Sequence, residues 1–202
     1  MVQLDTSWLQ HVQKPARYTG GEYNSIVKDH STVDVTMALA FPDVYEVAMS
    51  HLGIKILYGL INRREDAAAE RVFAPWHDME EEMRKRNIPL FSLETRTPIK
   101  DFDVLAFTLQ YEMSFTNILN MLDLAGIPMY AKDRDMDFPL LVCGGPCAFN
   151  VEPIADFFDI VSLGESEEWG DEFVDLYKAE KAKGFPDGKE GFLRKVAQIP
   201  GT

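Results

Sequence analysis

Short apolar runs alternate along this chain with segments whose apolar positions recur every three or four residues. VDVTMALAF (33–41) is β-rich and apolar towards its end, and FPD follows it as a turn. Apolar residues at 49, 52, 56, 57, 60 and 61 then give EVAMSHLGIKILYGLINRR (46–64) helical spacing. ERVFAP (70–75) reads as a short strand. WHDMEEEMRKRN (76–87) reads as an amphipathic helix, its acids early and its bases late as the helix dipole favours. PLFSLE (89–94) fits a short edge strand, DVLAFTLQ (103–110) a buried strand, and EMSFTNILNMLDLAG (112–126) a helix stopped by Gly126. PLLVCGG (139–145) and DIVSLGE (159–165) are further strands, separated by a short helix near EPIADFF. SEEWGDEFVDLYKAEKAKG (166–184) is a helix with a glycine stop, and EGFLRKVAQIPGT (190–202) is a helical turn running to the end.

Strands that alternate with helices, and are themselves almost continuously apolar, predict a parallel sheet covered on both faces. The expected fold is a flavodoxin-like, doubly wound α/β domain with a mainly parallel five-stranded sheet. Its core spans residues 33–184, between an N-terminal arm (1–32) and a C-terminal helical turn or linker (185–202). Neither repeats nor low-complexity segments interrupt it.

Composition narrows the function classes. The 202 residues are 46% hydrophobic and 26% charged, ordinary globular values. No apolar run reaches the roughly 18 residues a membrane helix needs, and MVQLDTSWLQHVQKP lacks a signal peptide's basic start and apolar stretch. A cytoplasmic protein is expected. The formal net charge is −13, from 20 Lys and Arg against 33 Asp and Glu. Such a surface repels phosphate backbones, which argues against direct nucleic-acid binding. The one dense basic run, KAEKAK (178–183), reads as one end of a charged, solvated helix.

In a doubly wound fold, ligands bind beyond the carboxyl ends of the strands. The candidate residues therefore follow each strand. They are Ser50, His51 and Gly53 after the first; Thr108, Gln110, Tyr111 and Glu112 after 103–110; Gly144, Gly145 and Pro146 after 139–145; and Gly164 and Glu165 after the last. A double glycine lets backbone approach a ligand, or simply makes a tight strand-to-helix turn. His51 could serve a ligand or cap a helix, and Tyr111 and Glu112 could serve a ligand or simply start the next helix. GxGxxG and GxxxxGK[ST] are absent, so dinucleotide and P-loop readings have no motif.

Both cysteines, Cys143 and Cys147, fall in LLVCGGPCAFNVEP (140–153). A disulfide framework does not fit two cysteines in a cytosolic chain. The four histidines, His11, His30, His51 and His77, lie far away in sequence, so a zinc site lacks ligands. The CxxxC pair is similar to the start of the CxxxCxxC cluster motif of radical SAM enzymes, but Asn150 stands where the third cysteine would be. No metal is expected on either thiol.

Longer blocks carry a resemblance. VQKPARYTGGEYNSIVKDH, FPDVYEVAMSHLGIKILYGLIN, ERVFAPWHDMEEEMR, PLFSLET, FDVLAFTLQYEMSFTNILNMLDLAGIP and LVCGGPCAFNVEPIADFFDIVSLGESEE resemble the N-terminal part of a radical SAM family. Its members carry a cobalamin (B12)-binding-like domain ahead of the radical SAM barrel. The resemblance covers about residues 11–200. It implies strand-end loops facing a corrinoid, with Gly144-Gly145 near the nucleotide tail and Thr108-Leu109 near the serine-containing strand-end motif of B12 domains. It also implies a barrel beyond Thr202 that holds the [4Fe–4S] cluster and S-adenosylmethionine for a radical reaction such as methyl transfer. This stretch alone would then not be catalytic. One departure stands out. B12 modules that ligate cobalt carry DxHxxG, whereas Met49-Ser50-His51-Leu52-Gly53 has no Asp two before the histidine and its glycine one position early. The rival expectations are a degenerate B12 fold that serves as an interaction platform, and a small-molecule enzyme using Ser50/His51 or Glu112.

Overall fold

A computed structural model describes residues 7–202. Five strands form one sheet: β1 (Val35–Phe41), β2 (Ala67–Phe73), β3 (Val104–Thr108), β4 (Leu140–Gly144) and β5 (Ile160–Val161). Their order is β2-β1-β3-β4-β5 and every pairing is parallel. This is the flavodoxin-like order, with its switch point between β1 and β3.

The two-residue alternation of strand side chains divides the core into two layers. Ala38, Ala40, Leu105, Phe107, Leu141 and Cys143 point to one face. There they meet α3 (His77–Arg86) through Met79 and Met83, and α4 (Phe115–Ala125) through Ile118, Met121 and Leu122. Val35, Met37, Leu39, Val104, Leu140 and Val142 point to the other face. That face is covered by α2 (Leu52–Arg63), α5 (Ser166–Lys181) and α6 (Gly188–Val196).

Several boundaries differ from the sequence expectation, each for a local reason. The helix expected over 46–64 is two pieces, α1 (Tyr45–Ala48) and α2, because His51 is extended (φ −77, ψ 121) and caps α2. Strand β2 begins at Ala67 rather than Glu70, since Ala67–Ala69 pair with Val35–Met37 and pairing overrides alanine's weak strand preference. Residues 89–94 form no strand. They make an isolated bridge, Phe91 to Pro98, and shield the edge of β2: the Leu93 amide donates to the Arg71 carbonyl, and the Arg71 amide to Glu94 Oε2. β5 is only two residues long, because the Leu163 amide leaves the sheet to bond the Gly201 carbonyl (2.6 Å).

The flanks join the same cores. Trp8, Leu9 and Val12 are buried on the α3/α4 face, and Phe192 and Val196 of α6 on the other. Residues 1–6 of the expected arm lie outside the described residues. The basic run at the end of α5 is tied down: Lys178 bonds Asp66 (2.9 Å) and Lys181 bonds Asp103 (2.6 Å). No helix among the described residues is long and apolar enough to cross a membrane.

Candidate functional site

A cavity of about 240 Å³ lies between the sheet and helices α2 and α5, at the carboxyl ends of β1, β3 and β4. Its floor is Met37, Val104 and Val142, and its walls are Ile54, Leu57 and Ile61 of α2 and Trp169 of α5. Small residues leave the space open: Gly53 opens α2, Ala106 sits mid-strand, Gly144 ends β4, and Gly170 lies near the start of α5. Ala106 is the visible consequence. It belongs to a central strand, yet it is half-buried while Leu105 and Phe107 beside it are buried. Trp169 is fixed from two sides. Its ring stacks on Phe173 at 4.9 Å, and its Nε1 donates to Thr202 Oγ1 at 2.8 Å.

The mouth is built by strand-end loops. At β1, the chain turns at Pro42-Asp43, and Tyr111 after β3 donates its hydroxyl to Asp43 Oδ2 (2.6 Å). That bond, together with burial, raises the Tyr111 phenol above its ordinary range. The ends of β3 and β4 are stitched together: the Leu109 amide donates to the Gly144 carbonyl (2.7 Å), and the Cys147 amide to the Leu109 carbonyl (3.0 Å). Gly145 makes the turn with φ +101. A Cβ there would stand 3.0 Å from Leu109 O and 3.1 Å from Thr108 Oγ1. Its glycine is therefore required by the β3–β4 junction itself, before any ligand is considered.

His51 lies at the same mouth, its ring 5.2 Å from that of Phe41. Its Nδ1 accepts the Ile54 amide at 3.3 Å. A nitrogen that accepts carries no proton, so the neutral ring carries its proton on Nε2. Nε2 is then a donor, not a metal ligand. This is the geometric counterpart of the DxHxxG departure: the histidine caps a helix.

Eight of the twelve candidates meet at the cavity. His51 and Gly53 contribute from the start of α2, Thr108 and Gln110 from the end of β3, Gly144 and Gly145 from β4, and Gly164 and Glu165 from the approach to α5. The other four lie outside the lining. Ser50 bonds the Val47 carbonyl (2.7 Å), Tyr111 bonds Asp43, Glu112 begins a 3-10 turn, and Pro146 begins another. Sequence reasoning missed the apolar floor and Ser162, because no local motif marks them. Cys143 is fully buried on the α3/α4 side, its thiol pushed up to about 12 by burial. Cys147 is half-buried in the turn after β4.

Electrostatics limit what the cavity can hold. Glu165, Glu167 and Asp171 stand along its α5 side, and neither Lys nor Arg is among the lining residues. These carboxylates are exposed and Asp171 is paired with Arg64 (3.1 Å), so an anionic group deep inside would find no cationic partner among the lining side chains. The lining suits a neutral, largely apolar group with a few hydrogen-bonding atoms. Its volume is below the roughly 300–1,000 Å³ of pockets that bury a whole drug-sized ligand. It fits one end of a larger molecule.

Topology and cavity together define a flavodoxin-like α/β domain with a small, largely apolar opening at its strand-end edge. A family model described as the N-terminal region of radical SAM proteins matches residues 53–202, and the chain belongs to that family. An uncharacterized protein of Methanocaldococcus jannaschii is 28% identical over 134 residues, which cover 65% of this chain and 24% of that relative. The chain thus spans about a quarter of that relative's length.

Proposed function

We propose that this domain binds a corrinoid at the carboxyl edge of its sheet and presents it to a radical SAM barrel in the full-length protein. The observation that carries the reading is the cavity between the sheet, α2 and α5, with Gly144 at its rim and a largely apolar lining that holds neither Lys nor Arg. A nucleotide base is a flat, uncharged group of the size such a space accepts, and the corrin ring would remain outside against the strand-end loops. Gly144, Thr108 and Gln110 are the groups that would hold the tail. A bound corrinoid supplies methyl-carrying cobalt chemistry; the cluster and S-adenosylmethionine belong to the barrel. The chain's own part is to bind, orient and shield. His51, whose Nδ1 accepts the Ile54 amide, has its part in capping α2 and is not proposed as a cobalt ligand.

Mixing the purified chain with hydroxocobalamin, desalting and recording the visible spectrum tests this. The expected result is corrinoid absorption retained in proportion to protein, at affinities of tens of micromolar or better, about 6–7 kcal/mol of binding. His51→Ala should leave that spectrum unchanged.

A second reading has its own support. Met113 (86% exposed) and Phe149 (75%) stand on the loops after β3 and β4, a bare apolar rim suited to a protein surface. On that reading the domain is an interaction platform for the barrel without corrin. Folded protein that retains no cobalamin would favour it.

A further inference from the structure

Four serine and threonine side chains are buried among the described residues, and three are satisfied. Thr36 bonds Asp103 (3.0 Å), Ser92 bonds Glu70 (2.5 Å), and Ser114 donates to the Tyr111 carbonyl (2.7 Å). Ser162 is the exception. It is 2% exposed, and its Oγ has no hydrogen-bond partner. A buried hydroxyl without a partner destabilises a fold, and alanine in its place would avoid that cost. The backbone of Ser162 is meanwhile well held, its amide donating to the Cys143 carbonyl at 2.8 Å. The unmet atom is the side chain alone.

Its position explains what could meet it. Ser162 follows β5 directly and lines the cavity beside Gly144. A Cβ on Gly144 would lie 3.8 Å from the Ser162 Cβ and 3.4 Å from its carbonyl, so the missing side chain at 144 keeps the approach open. The lack of any Lys or Arg in the lining disfavours an anionic partner, and the surrounding wall is apolar. A neutral heteroaromatic ring with a nitrogen or oxygen acceptor satisfies all three conditions.

We infer that Ser162 is the specificity-determining anchor of this cavity: its hydroxyl donates to the acceptor atom of a neutral heteroaromatic base inserted between the sheet and α5. The inference rests on the corrinoid reading above, with the base being that of the nucleotide tail. It adds a residue that the strand-end motifs do not point to, and it gives the cavity a preference: corrinoids with a heteroaromatic base over those without.

The test compares hydroxocobalamin with cobinamide, which has a corrin ring but no nucleotide base, on wild type and Ser162→Ala. The wild type should bind cobalamin more tightly than cobinamide. Ser162→Ala should lose about tenfold for cobalamin, the value of one hydrogen bond, and nothing for cobinamide. Its ligand-free melting temperature should stay level or rise, since an unmet hydroxyl has gone. Wild-type cobalamin affinity in Ser162→Ala would overturn the anchor while leaving the corrinoid reading standing. Equal losses for both corrinoids with a lowered melting temperature would assign Ser162 a structural role instead. A folded wild type that retains neither corrinoid removes the reading and the anchor together.

Discussion

The two faces of this sheet are built from the same strands and packed to different ends. Against α3 and α4, Met79, Met83, Ile118, Met121 and Leu122 pack the layer closely, leaving a space of only about 30 Å³ beside Met79. Against α2 and α5, glycine and alanine stand at the matching places and a cavity of about 240 Å³ remains. Strand parity assigns each residue to a face; side-chain volume decides which face is solid. The solid face holds the fold together, and the open one, placed at the switch point, is free to bind.

The largest effect should come from breaking the solid face. Met121→Ala removes a fully buried side chain and should cost about 2–5 kcal/mol in urea unfolding, because the neighbours cannot collapse into the gap. Leu57→Ala on the cavity wall should cost clearly less, since that side chain already borders empty space. Equal costs would mean the two faces are packed alike.

Next in size is Gly145→Ala. Its φ of +101 and the contacts at 3.0–3.2 Å to Leu109, Thr108 and Gln110 predict a loss of about 1–3 kcal/mol and a lower melting temperature. Cobalamin retention would fall along with stability, so this variant reports on the β3–β4 junction rather than on the tail alone. An unchanged melting temperature would refute the junction argument.

Filling the open face should be gentler. Ala106→Leu adds volume where a mid-sheet residue faces space, so stability should move by no more than about 1 kcal/mol while corrinoid retention disappears. A much larger destabilisation would show that the space is already needed by its neighbours.

The smallest effect lies at the opposite edge of the sheet. Arg64, then Lys178, hold the Asp66 carboxyl down to about 2. A carboxylate whose folded pKa is depressed adds stability that is present above its unfolded value near 4 and is lost as pH falls from about 4 to about 2. Asp66 is partly exposed, so after solvent screening the contribution is under about 1 kcal/mol. Asp66→Asn should flatten the acid limb of a stability-versus-pH curve by that amount and leave neutral-pH corrinoid retention untouched.

Much of this molecule was legible in its sequence. Apolar runs located all five strands, helical spacing located α2 to α5, and the order of the elements gave a parallel, doubly wound sheet. The strand-end rule led to His51, Thr108, Gln110, Gly144 and Gly164, which the fold does gather at one opening. These features are local: they depend on periodicity and on which residues a turn tolerates. The tertiary structure decided the rest. That His51 is a cap follows from a helix break that hydrophobic spacing cannot register. That Gly145 is pinned follows from Leu109, a residue far along the chain just past the end of the neighbouring strand β3. The cavity is made from β1, β3, β4, α2 and α5 together, and Ser162 stands out only because nothing from any of them reaches its hydroxyl. A void and an unmet hydrogen bond are defined by absent neighbours, and only the assembled fold settles which neighbours are absent.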